Sequence, residues 1–251
     1  MTKLTPDSIP DWITQPGQFI ALEAPRMVVE MAATPLALPW LLRHRTTNGQ
    51  PILVVPAMAP AVGTLEMRLA LKALGHKVHC VPELTMLRRP RTILDVVLRE
   101  TEKVAELYGE PITLAGWCYG GGFTRLAAHA LPDAVRQVIN MGVAKSLPMY
   151  PKLTHASGQT TSSDPLPVPS TSVYSRSDGT FSRKQVTQPR EHHHHTEDIE
   201  VVSSHFGMAN NPMTLHIIAD RLMQPKGAWR PFSGWTLEQA GDKASAAGKV
   251  A

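Results

Sequence analysis

The sequence predicts an α/β fold: a doubly wound, mostly parallel sheet with helices on both faces. Three observations predict it. Short, uniformly apolar runs rich in β-branched residues recur between residues 51 and 202, the pattern of strands buried on both faces. Amphipathic stretches of helical period lie between them. Glycines and prolines punctuate the joins. Alternation of this kind favours parallel strands joined by crossover helices. A chain of 251 residues accommodates one such domain and buries a sizeable core without disulfide staples.

The elements follow in order. Residues 1–48 read as a helical extension, with Pro25 near a helix start and Pro35 and Pro39 breaking the helix. Ala21 to Leu42 is the one apolar stretch of membrane length. Glu23, Arg26, Glu30 and three prolines argue against a spanning helix and for a packed or surface-lying one. Such a helix could touch a lipid or membrane surface, or a second copy of the chain. After the turn Asn48-Gly49-Gln50 comes the buried strand Pro51 to Pro56, then a helix over Thr64 to Leu74 closed by Gly75. A strand over Lys77 to Val81 precedes a long amphipathic helix, Thr92 to Tyr108, closed by Gly109. Strand Ile112 to Ala115, helix Tyr119 to Ala130 and strand Gln137 to Met141 continue the alternation. Ser146 to Pro169, rich in Pro, Ser, Thr and Gly, reads as a long loop and a short lid. Two more strands are expected at Thr171 to Tyr174 and Ile199 to Val202. Asn211-Pro212 opens the last helix, which runs to about Met223, since proline is tolerated in a first turn. The core domain spans 49–235, and the Ala/Gly/Lys-rich tail 236–251 reads as poorly ordered.

Composition narrows the function. The net charge is +4 and the basic residues are dispersed, the densest group being Arg88, Arg89 and Arg91. No basic stripe with interleaved aromatics is present, which argues against nucleic-acid binding. Two cysteines, Cys80 and Cys118, exclude a disulfide scaffold and suit a reducing, cytoplasmic setting. The first 16 residues contain no apolar signal core.

Chemistry concentrates in Leu114-Ala115-Gly116-Trp117-Cys118-Tyr119-Gly120-Gly121-Gly122. An apolar strand runs into Gly-x-Cys-x-Gly and then into a helix, the context of a nucleophile elbow with cysteine in place of serine. The turn is sharp and its backbone strained, so Gly116 and Gly120 make room for it. The following helix N-terminus favours a thiolate at Cys118. No P-loop lysine or dinucleotide fingerprint accompanies the glycines, and no cofactor is implied. Asp178, in Ser-Asp-Gly after one expected strand, and His205, after the next, complete the order nucleophile, acid, histidine. His205 would deprotonate Cys118, and Asp178 would hold the imidazole tautomer. An oxyanion hole would use the backbone N–H of Tyr119 and that of Met58, with Ala57 the alternative.

These segments resemble the α/β-hydrolase superfamily, in particular its compact bacterial esterase- and lipase-like members. Ser204-His205-Phe206-Gly207-Met208, Asn211-Pro212 and Ile218 to Leu222 extend the likeness, which covers roughly residues 20–232. It implies the fold and the triad roles of Cys118, Asp178 and His205. Ala57 stands where relatives commonly have glycine, and cysteine stands where the esterases usually have serine. Cysteine elbows are similar to those of dienelactone hydrolases and of polyhydroxyalkanoate synthases. The synthases share Gly-x-Cys-x-Gly-Gly but are much longer chains.

The expected activity is hydrolysis of a small acyl substrate (a carboxylic ester, lactone or thioester) through an acyl-thioester. Acyl transfer by the same triad and a silent binding protein are the alternatives. The tract His192 to His195 reads as a solvated loop and no metal site is assigned. Cys80 reads as core, Trp117 as packing under the elbow, and Trp229, Phe232 and Trp235 as an apolar clasp.

Overall fold

Six strands build the central sheet: β1 (Pro51–Val55), β2 (Lys77–Cys80), β3 (Ile112–Trp117), β4 (Val135–Met141), β7 (Ser170–Tyr174) and β8 (Thr196–Glu200). The structure is a computed structural model and describes residues 16–57, 62–155, 158–188 and 195–234. All six strands are parallel, in the spatial order β2-β1-β3-β4-β7-β8. The chain adds β2 on one side of β1 and then β3 on the other. The winding therefore reverses between β1 and β3, and the crevice at their carboxyl ends is where open α/β sheets bind ligands.

Side chains alternate across β1 in the manner of a strand buried on both faces. Ile52 and Val54 join the core beneath α1 (Glu23–Leu41), α2 (Val62–Ala73) and α6 (Pro212–Met223), with Met67, Leu71, Ile139, Leu215 and Ile218. Leu53 and Val55 join the opposite core beneath α3 (Pro90–Tyr108) and α4 (Gly120–Ala130), with Ile93, Val97, Leu114 and Phe123. Gly109 ends α3 in a left-handed conformation at φ 64°, and a short helix, α5 (Arg183–Val186), lies between β7 and β8. The Asn211 side chain caps α6 by accepting from Met213 N at 2.9 Å, with Pro212 in the first turn.

Three expectations need correction. Pro35 and Pro39 do not break α1, which runs unbroken from Glu23 to Leu41. Each interior proline costs an isolated helix about 3 kcal/mol. Here both prolines lie on the exposed side, while the inward face is tied down by polar contacts. The segment Ser146 to Pro169 is not a structureless loop. It contains an antiparallel hairpin of β5 (Leu153–His155) and β6 (Gly158–Thr160). Strand β8 lies at Thr196–Glu200, ahead of the expected Ile199 to Val202. Its charged residues are consumed by partners: Glu197 accepts from Thr171 Oγ1 and from the buried Arg221, and Asp198 from Gln188 N.

Met58, His192 to His194, Trp235 and the tail 236–251 lie outside the described residues. His195 packs edge-on against Trp229, and Phe232 is buried against the α6 core. Cys80 is partly buried against the same core. No helix among the described residues is long and apolar enough to cross a membrane.

Candidate active site

Cys118 follows β3 directly and adopts φ 52°, the only positive φ of a non-glycine residue among those described. An L-residue held there stores about 1–3 kcal/mol of strain. Its neighbours explain how the turn closes. A Cβ on Gly116 would collide with the Gly121 backbone and stand 2.7 Å from Asn140 Oδ1. One on Gly120 would strike the carbonyl oxygens of Val55 and Pro56. The bare Gly120 thus brings the end of β1 against the first turn of α4. Tyr119 is buried at the N-cap of α4, and Ala57 is buried just beyond β1. Cys118 itself is partly buried, touching both cores.

Asp178 and His205 come together from the loops after β7 and β8. His205 Nδ1 lies 2.8 Å from Asp178 Oδ2, and both side chains are almost wholly buried. Asp178 Oδ1 accepts from the backbone N–H groups of Thr180 (2.7 Å) and Phe181 (2.8 Å), which orients the carboxylate. Burial by itself lowers the His205 pKa. The hydrogen bond with Asp178, the thiol of Cys118 beside the ring and the charges of both outweigh it, and the pKa is pushed up to about 10. Nε2 is buried and makes no hydrogen bond of ordinary geometry among the described residues, although Cys118 is near enough to act on the ring. Loose contacts of this kind are common in ligand-free sites.

Several residues in this region carried no readable signal. Gly142, at φ 55° after β4, passes the acid–histidine pair so closely that a Cβ would stand 3.1 Å from His205 Nδ1 and 3.3 Å from Asp178 Oδ2. Trp117, expected as packing, also donates from Nε1 to the His205 carbonyl at 3.2 Å. Tyr150 stacks on Tyr119 (centroids 5.4 Å apart, 10° between planes) and donates to the Tyr119 carbonyl at 3.1 Å. Burial, together with Cys118 nearby, pushes the Tyr150 phenol well above its usual range. The buried Arg125 of α4 donates to the carbonyls of Ser162 and Asp164, so the expected lid segment is pinned to the helix that follows Cys118.

Helix α1 supplies the largest surprise. Glu23, Arg26, Glu30 and Thr34 recur at three- and four-residue spacing, so they share one face, and that face points inward. Glu23 Oε1 accepts from Gly179 N at 2.7 Å and Oε2 from Phe206 N at 2.9 Å. Arg26 donates to the Ser177 carbonyl and hydroxyl at 2.6 and 2.7 Å. Glu30 accepts from Ser204 N and Oγ at 2.7 and 2.6 Å, and Thr34 donates to the Asn210 carbonyl. Hydrogen bonds to charged groups contribute about 1.5–3 kcal/mol each. The outer face is apolar, with Val28, Val29 and Leu36 exposed.

A cavity of about 330 Å³ lined by Arg136, Gln137, Arg221, Gln224 and Trp229 opens at the opposite, amino-terminal edge of the sheet, away from Cys118. Among the described residues no three His, Cys, Asp or Glu side chains gather as a metal would require.

No protein-family model matches the sequence, and no curated protein matches it significantly. Solved structures do resemble the fold. Aspergillus fumigatus lipase B matches with a TM-score of 0.54 at 15% identity, over 74% of this chain and 55% of that one. This chain therefore spans little more than half of that lipase's length. Bacillus licheniformis lipase BlEst2 in its mature form matches at TM-score 0.54 and 14% identity, over 71% of this chain and 94% of the lipase. The thioesterase domain from the curacin biosynthetic pathway matches at TM-score 0.51 and 13% identity, over 70% and 92%.

Proposed function

The chain has the α/β-hydrolase fold, and from that premise we propose that it is an acyl hydrolase of esters, lactones or thioesters, using Cys118, His205 and Asp178. The observation that carries this reading is the strained, positive-φ Cys118 at the strand-to-helix turn, beside an imidazole bound to a buried carboxylate.

In this reading His205 takes the proton of the Cys118 thiol, and a ring pKa pushed up to about 10 lets the imidazole hold it. The thiolate attacks the acyl carbon, and the carbonyl π electrons move onto oxygen. The N–H groups of Tyr119 and of Ala57 or Met58 would donate hydrogen bonds to that oxyanion, a role favoured by the close approach of α4 to the end of β1. Collapse of the adduct expels the alcohol or thiol, which takes a proton from His205. His205 then draws a proton from water, which cleaves the thioester and restores the cysteine. Asp178 holds the Nδ1 proton throughout.

Hydrolysis of p-nitrophenyl acetate tests the reading. Cys118→Ala should lower kcat/KM by at least ~10³-fold while the protein stays folded. Mass spectrometry of the wild type should find an acetyl adduct on Cys118. Equal activity in both proteins, or none in either, would remove the hydrolase reading. Product that forms only with an added alcohol or thiol would favour acyl transfer.

A further inference from the structure

We infer that Glu23 is a positioning residue that sets the Asp178–His205 pair by bridging the two loops that carry them. This rests on the reading of Cys118, Asp178 and His205 given above.

The geometry is specific. Glu23 is only 1% exposed, and its two carboxylate oxygens divide their acceptance between the loops. One takes Gly179 N–H, the residue immediately after Asp178, and the other takes Phe206 N–H, the residue immediately after His205. A single rigid group thus fixes the separation of the two peptides that flank the acid and the histidine. Gly179 is bare because the carboxylate fills the space: a Cβ there would lie 2.7 Å from Glu23 Oε1 and 2.9 Å from its Cγ. The neighbouring links from Arg26 to Ser177 and from Glu30 to Ser204 each hold one loop only. Glu23 alone on this helix face holds both. Ordering by a group outside the reacting atoms matters because misplacement of about 1 Å costs on the order of 10²-fold in rate.

Glu23→Gln keeps the shape but offers one acceptor oxygen and one NH₂ to two N–H donors, so one loop must lose its partner. Two readouts separate positioning from mere folding. The first is the titration of the His205 ring followed by ¹⁵N NMR, its signal assigned by loss in His205→Ala. The second is the split of p-nitrophenyl acetate kinetics into kcat and KM. In Glu23→Gln the His205 midpoint should fall by about one pH unit or more, as the contact with Asp178 loosens. The kcat should fall roughly 10- to 100-fold with KM little changed. Gly179→Ala, which pushes on the same carboxylate from the loop side, should shift both readouts the same way and serves if Glu23→Gln fails to fold. Thr34→Ala loosens α1 without touching either flanking peptide, and its His205 midpoint should stay at the wild-type value.

The outcomes are distinct. Wild-type activity that survives Cys118→Ala would overturn the reading of the site, and the role of Glu23 with it. Cys118-dependent activity with an unshifted midpoint and unchanged kcat in Glu23→Gln and Gly179→Ala would overturn the positioning role alone. Equal shifts in Thr34→Ala would show that Glu23 only stabilises the helix and would also overturn it.

Discussion

Cys118 is held by its own sequence neighbours, whereas Asp178 and His205 are held by a helix that precedes its contacts by 151 to 183 positions. The elbow is built mainly within residues 112–130, from a buried strand, two glycines and a helix, and is braced by the end of β1 and by Met141 of β4. The acid and the histidine sit on separate loops after β7 and β8, which touch through Ser203 N and Ser175 Oγ at 3.2 Å and are bridged again by Glu23 of α1. Local geometry can be written into a short motif. The distance between two loops is also set by a third element packed across them, and α1 contributes with its charged side chains.

The comparison breaks first at the elbow glycines. Gly116→Ala and Gly120→Ala each press a methyl into backbone, so each should cost at least ~3 kcal/mol and lower Tm by about 6–12 °C, or prevent folding. Gly17→Ala, which meets nothing within 4 Å, should be neutral. Thermal melts of the three proteins check this. If the elbow variants melt like wild type, local packing does not hold Cys118.

The acid–histidine side should show itself in pH dependence. The folded His205 pKa of about 10 lies above the ordinary value of 6.5. Its contribution to stability is therefore complete below about pH 6.5 and is lost as pH rises towards 10. Urea melts of the wild type should weaken across that window, and Asp178→Asn should flatten the slope. His76 should act in the opposite sense. Its pKa, lowered by burial to about 4, means that its contribution is present above pH 6.5 and lost as pH falls through 4.

The smallest expected effect sharpens the elbow again. Cys118→Gly should relieve the strain of φ 52°, largely offset by the greater chain entropy glycine loses on folding and by the lost thiol packing, and so raise Tm by only about 1–3 °C while abolishing hydrolysis. A fall in Tm would mean that the thiol contributes more packing than the backbone conformation costs.

Apolar strands and glycine punctuation made most of the sheet legible, because a strand buried on both faces has few residue types open to it. The start of strand β8 escaped that logic. Only Ile199 onward reads as strand, because the opening Thr-Glu-Asp is paired by side chains from α6 and β7 and lacks an apolar signature. The continuity of helix α1 escaped for a related reason. Two interior prolines argue for a break, and only the contacts from Glu23, Arg26 and Glu30 outweigh them. Gly142 and Tyr150 lacked any motif, since their importance lies in what passes beside them.

Within the chain itself, the order of strands and helices, the turn at Cys118 and the placement of Asp178 and His205 just beyond late strands follow from local pattern, because burial and backbone strain restrict which residues each position accepts. Which residues meet across the fold was decided by tertiary structure alone. The inward turn of the α1 charges and the bridge made by Glu23 depend on distances between segments far apart in sequence, and no local propensity encodes such a distance.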